Sequence, residues 1–239
     1  MEFVEKRLVK NFLSRSGIKN NALYWSLGTL LVCLVMSNLY WYSPLGEYLA
    51  ASPERVFGAQ EYWRLFTSSF IHGDMDHFLS NSVMLSFMGY FVAYHFKAWT
   101  FPVLSFLSGI LINLIVIWNF PPETSLVGAS GIVYYIWGFW LVNYILIQKH
   151  IPLVRRFMKA TAIGIIVLAP SEFRPQVSYY AHAVGLALGI LMGYAYYLVF
   201  KQKIHAAEQW HYQTKYVDDE LVFEAMEATA TIDPSENLH

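Results

Sequence analysis

Six stretches of the chain are long and almost free of charge, and they predict its architecture. They cover residues 22–42, 77–94, 99–118, 127–147, 157–169 and 179–200. A hydrophobic run of about 20 residues is what a helix needs to cross the hydrocarbon core of a bilayer. The first run holds no charged residue and ends in Leu39-Tyr40-Trp41-Tyr42, aromatics suited to a membrane interface. It is too long for the core of a cleaved signal peptide and has no small-residue cleavage site behind it, so it is expected to remain as the first span. The fifth run is short, follows Arg155 and Arg156 and is closed by Pro170. Its place between two strong runs predicts a short or tilted crossing.

Composition agrees with this pattern. Of 239 residues, 56% are hydrophobic and only 14% charged, and the mean hydropathy is +0.37. A soluble domain carries about 25% charged residues. A soluble hydrolase, a disordered or collagenous chain, a coiled coil and a nucleic-acid-binding module are all excluded. The single cysteine, Cys33, rules out an internal disulfide and a cysteine zinc cage.

The positions of the charges predict orientation. Of the 16 Lys and Arg, all but Arg55, Arg64 and Arg174 fall in segments on one side of a six-span bundle. These are Lys6, Arg7, Lys10, Arg15, Lys19, Lys97, Lys149, Arg155, Arg156, Lys159, Lys201, Lys203 and Lys215. Basic residues gather on the cytoplasmic side, so both termini are expected there. The chain then divides into a basic N-terminal segment (1–21), an all-α six-span domain (22–200) and an acidic tail (201–239) that reads as a solvated helix fading to disorder. The loop at 43–76 is rich in aromatics, which suggests that it lies partly in the outer interface.

Polar residues inside spans are costly and mark function. His77 and Asn81 are four apart and share a helix face. Gly128-Ala129-Ser130-Gly131 opens the fourth span, and Ala181-His182-Ala183-Val184-Gly185 lies one turn into the sixth. The six-span topology brings all three groups to one depth, near the outer surface. A serine hydroxyl needs a base to become a nucleophile, and His182 is suited to that role beside Ser130. His77, the Asn81 amide and the Ser130 N–H are the kinds of donor an oxyanion requires. Gly128 and Gly131 permit tight turning and close approach. Ala181, Gly185, Gly189 and Gly193 give the sixth span a smooth face for another helix, and Gly131 and Gly138 do the same for the fourth. Tyr134, one turn below Ser130, would pack on the imidazole.

Each feature alone has a plainer explanation. Small-residue ladders mean tight packing, His77 would serve as an interfacial histidine, and His72, Asp74, Asp76 and His77 would form a solvated turn more readily than a metal site. A channel or transporter is disfavoured, because the spans carry no chain of carboxylates and no inverted repeat with broken helices. Single-residue explanations leave unaccounted for a serine, two histidines and an asparagine at one depth on three spans.

Taken in order, these motifs resemble the rhomboid intramembrane serine proteases of the compact six-span bacterial type. The resemblance runs from Trp63-Arg64 through His72, His77, Asn81, Gly128–Gly131, Tyr134 and Gly138 to the stretch at 181–189. It implies Ser130 as nucleophile and His182 as general base. His77, Asn81 and the Ser130 amide would form the oxyanion site, with Gly128, Gly131, Tyr134, His72 and Gly185 in support. It further implies a gate made of the fifth span and the cap at 170–178, no metal or cofactor, and substrates that are transmembrane segments of other proteins, cut near the outer face of the lipid bilayer. The compact form and the retained N-terminus suggest a bacterial inner membrane. The alternative is a rhomboid-like protein that binds transmembrane segments without cutting them; such proteins typically lack the serine or the histidine. Two departures stand out. The turn after the second span, Ala93-Tyr94-His95-Phe96-Lys97, lacks the glutamate the family often has there, which bears on the turn's stability. Tyr180 replaces a glycine that often precedes the Ala-His pair, which would narrow the approach to the site.

Overall fold

The first helix turns its small side chains inward and its large apolar ones outward, the reverse of a soluble protein. In the computed structural model, which describes residues 2–14, 17–97, 99–168 and 178–216, helix α1 (Asn20–Tyr42) buries Ala22, Ser26, Thr29, Cys33 and Ser37 along one face. Its Leu27, Leu31, Val32 and Val35 are exposed. An apolar rim around a small and polar interior is stable only where the surroundings are themselves apolar, since helices in lipid associate through close packing and hydrogen bonds.

The chain continues through a short 3-10 turn (Pro44–Tyr48), a π turn (Glu54–Gly58) and α2 (Arg64–Thr67) into α3 (Met75–Phe96). After a π-helical stretch (Trp99–Leu104) come α4 (Ser105–Ile117), α5 (Ser130–Ile147), α6 (Leu153–Leu168) and α7 (Tyr179–Ala206). Among the described residues, four helical stretches are long and apolar enough to cross a membrane: Asn20–Tyr42, Trp99–Ile117, Ser130–Ile147 and Tyr179–Ala206. Helix α3 is long, at 22 residues, but carries His77, Ser80, Asn81, Ser82 and Ser86. The described part of helix α6, 16 residues, spans about 24 Å of a hydrocarbon core of about 30 Å. The third expected run opens irregularly, with Phe101 in an extended conformation (φ −139, ψ 126) and its ring set against Gly89.

The expectation of an all-α fold with a helical tail is corrected at both ends of the chain. Strand β1 (Glu2–Lys10) pairs antiparallel with β2 (Gln209–Tyr216), from Glu2↔Tyr216 to Lys10↔Gln209. In β2, aromatic Trp210 and Tyr212 alternate with polar neighbours, a period-two pattern that suits a strand. The Lys6 ammonium lies 4.1 Å from the Trp210 ring centroid across the pair. The remainder of the acidic tail, 217–239, and the expected cap at 170–177 lie outside the described residues.

The sheet marks one end of the bundle. There Asn11 donates to Gln148, Arg156 to the Ile145 carbonyl, and Tyr197 joins Lys149 to His205. The turn lacking an acid is held differently. The Lys19 ammonium donates to the Tyr94 carbonyl at 3.1 Å, and the Thr100 hydroxyl meets the Phe96 and Lys97 carbonyls. These contacts satisfy carbonyls that a helix C-terminus otherwise leaves unpaired.

Helices α5 and α7 form the closest seam. A Cβ at Gly185 would fall on the Gly131 carbonyl, and one at Gly189 on the Tyr135 carbonyl. Buried Asn143 ties the seam by donating from α5 to the Gly193 carbonyl at 3.1 Å.

Candidate active site

At the opposite end, the segment 43–74 folds over the helix ends around one buried cation. Arg64, 1% exposed, donates to Glu61 at 2.5 Å and to the Glu47 and Ala50 carbonyls at 2.7 and 2.9 Å. Thr67 donates to the Leu49 carbonyl. From α4, the Asn113 amide donates to the Leu65 carbonyl and meets the Ser68 and Ser69 hydroxyls. Ser68 in turn accepts from the Gly128 N–H at 2.9 Å. A chain of hydrogen bonds thus fixes the approach to α5 from α2 and α4.

Helix α3 begins beside this approach. The Asp74 side chain caps it by accepting from the His77 N–H at 2.7 Å, as N-cap residues do. His77 and Asn81 then face Gly128. A Cβ there would stand 2.7 Å from His77 Cε1, 2.9 Å from His77 Nε2 and 3.9 Å from Asn81 Nδ2. Gly128 also has φ +116, a conformation side chains resist. Glycine meets both demands.

Ser130, partly buried, is the first residue of α5. The leading N–H groups of a helix have no intrahelical acceptor and carry its positive end, so this position favours a developing anion. His182, 5% exposed, lies one turn into α7, whose N-terminus Ser178 caps through the Ala181 N–H. Its ring stacks on Tyr134, with centroids 4.1 Å apart and planes 13° from parallel, and Tyr179 meets it edge-on at 6.1 Å. The contact of Gly131 with Gly185 and the Ala181 carbonyl brings the start of α5 against the His182 turn.

Among the described residues, polar atoms buried at this end without a hydrogen-bond partner include His182 Nε2, Asn81 Nδ2 and His72 Nε2. Such atoms are rare in folded proteins and call for an explanation. The Ser130 hydroxyl is therefore not bonded to His182 Nε2 in this state. Burial and the neighbouring His77 push the pKa of His72 down to about 3, against a smaller opposing effect of Asp74. The conceivable metal set does not assemble: His72 is buried, whereas Asp74 and Asp76 are exposed. Among the described residues, no three His, Cys, Asp or Glu are placed to hold a metal ion.

Contacts of Gly128 with His77 and Asn81, of Gly131 with Gly185 and of Tyr134 with His182 gather the starts of α3, α5 and α7 at this end. The structure adds Ser37 and Trp41 of α1, which hold His72 through its Nδ1 at 3.1 Å and its carbonyl at 2.7 Å, and Asn113, which braces Ser68.

A model of the rhomboid domain family matches residues 59–199, which includes every one of the site residues from His72 to Gly185. The chain belongs to the rhomboid family. Over 183 residues it is 26% identical to Rhomboid protease GlpG of Klebsiella pneumoniae (strain 342), covering 74% of this chain and 64% of that protein. It is 27% identical over 157 residues to Rhomboid-related protein 2 of Mus musculus, covering 61% of this chain and 51% of the mouse protein. The chain thus spans less than two thirds of the length of either relative. Family membership and the apolar helices make this an integral membrane protein.

Proposed function

We propose that this rhomboid-family chain is an intramembrane serine endopeptidase that cuts transmembrane segments of other proteins near the outer membrane face. Ser130 Oγ attacks the scissile carbonyl carbon while His182 Nε2 takes its proton. The tetrahedral oxyanion is met by the Ser130 N–H, the Asn81 amide and His77. His182 then returns the proton to the leaving amine. Water completes the second half of the cycle by the same route and releases the acyl group from Ser130. Tyr134 orients the imidazole, and Gly128, Gly131 and Gly185 let the parts approach.

The observation that carries this reading is a pair of atoms buried and unpartnered among the described residues, Asn81 Nδ2 near Gly128 and His182 Nε2 on the ring stacked against Tyr134 of α5. A base without a hydrogen-bond partner and a donor without an acceptor are what a reaction centre keeps for a substrate. The same reading takes α3 and α6 as further, polar or tilted, crossings of a six-span bundle. Both termini then lie on the cytoplasmic side of a bacterial inner membrane.

Fluorophosphonate labelling in detergent tests it. Wild type should label, and Ser130→Ala and His182→Ala should not. If wild type fails to label while a known rhomboid protease does, the chain is instead a binder of transmembrane segments that does not cut them.

A further inference from the structure

His77 is held from behind by a residue that is itself held from α1. The Ser37 hydroxyl, fully buried, lies 3.1 Å from His72 Nδ1 and 3.4 Å from the Phe70 carbonyl. Serine has one proton. Donated to the Phe70 carbonyl, it leaves the Ser37 oxygen to accept from His72 Nδ1–H. Trp41, one turn further along α1, fixes the His72 backbone by donating to its carbonyl at 2.7 Å. The His72 ring, held at Nδ1 by Ser37 and with its backbone fixed by Trp41, meets the His77 ring edge-on, with centroids 5.1 Å apart and planes at 80°. On its other side, the His77 ring faces Gly128. The His77 imidazole thus lies between the His72 ring and a glycine.

We propose that Ser37 is a positioning residue for His77, acting through His72, so that the first helix sets the aim of the oxyanion site. The inference rests on the protease reading for the role of His77, but the contact chain itself does not depend on it. Burial keeps His72 neutral, and in a neutral imidazole the tautomer and ring orientation are set by the hydrogen bond the ring makes, here the one between Nδ1 and Ser37. Losing the Ser37 hydroxyl removes that reference. His72 then turns within its pocket, and the His77 ring loses the wall that fixes its plane.

The test is a double-mutant cycle on the full-length protein, read as the saturating rate and half-saturating concentration of fluorophosphonate labelling. Small misplacements of catalytic groups are costly, so Ser37→Ala should lower the saturating rate by about tenfold, with half-saturation unchanged. In a His77→Ala background it should cause no further loss, because coupled residues are not additive. An equal loss in both backgrounds would overturn the proposal. A second readout needs no activity: nitrogen NMR of the imidazole rings in wild type and Ser37→Ala. The resonances of His72 and His77 should move together, and an unmoved His77 would overturn the proposal even if the variant melts earlier. If wild type does not label at all, the protease reading falls, while the NMR comparison still decides the contact chain.

Discussion

His182 lies face to face on Tyr134, with ring centroids 4.1 Å apart. No carboxylate is hydrogen-bonded to this histidine among the described contacts, and under the proposed mechanism ring packing would take the orienting role that a triad acid plays elsewhere. Stacked aromatic pairs contribute about 0.5–1.5 kcal/mol beyond area burial. Tyr134→Leu should therefore slow labelling of Ser130 by up to about tenfold, and Tyr134→Phe much less. Equal rates for the two variants would show that the stack does not aim the imidazole.

Gly128 is where backbone strain and close approach coincide. Gly128→Ala would put a methyl carbon 2.7 Å from His77 Cε1 at φ +116. Strained backbone of this kind costs about 1–3 kcal/mol, and the clash must push His77 away. The variant should fold with a modestly lower Tm and lose most labelling. Retained activity would mean that His77 does not need its present position.

Asn81 offers a cleaner probe, because removing its amide relieves a buried unpaired donor instead of creating one. Losing an oxyanion donor costs about 2.7–4 kcal/mol in other hydrolases. Asn81→Ala should thus slow turnover of a model transmembrane substrate by about a hundred- to a thousandfold, with unchanged or slightly raised Tm. A wild-type rate would remove Asn81 from the oxyanion site.

Arg64 serves stability. Its guanidinium is buried and meets a carboxylate and two carbonyls at once. Removing one partner of a buried pair costs about 3–5 kcal/mol. Arg64→Ala should lower Tm sharply, and Arg64→Lys should recover only part, because a single ammonium does not reproduce the guanidinium fork. A Tm unchanged in both variants would show that the 43–74 segment stands without this cation.

The helices α1, α4, α5 and α7 as far as Phe200 were legible because nothing charged interrupts them, and His77, Asn81, Ser130 and His182 stood out because each is polar where lipid is expected. Helix α6 begins at Leu153, before the run at 157–169, since Arg155, Arg156 and Lys159 hid its first turn. The strand pair was not legible. The alternation at Trp210 and Tyr212 is a period-two signal, but it is short and its partner lies some two hundred residues away, at the other end of the chain. Ser37 and Asn113 were equally hidden. A lone serine or asparagine in a span does not announce itself, and their partners, His72 and Ser68, lie on other segments.

The α5–α7 seam has a mechanical consequence. Where a glycine of one helix sits against a carbonyl of the other, over several turns, the two backbones have no side chains between them to yield or reshuffle. Sliding or prying them apart breaks contacts with nothing to replace them. Ser130 and His182 thus stand at one end of the two helices joined by this seam.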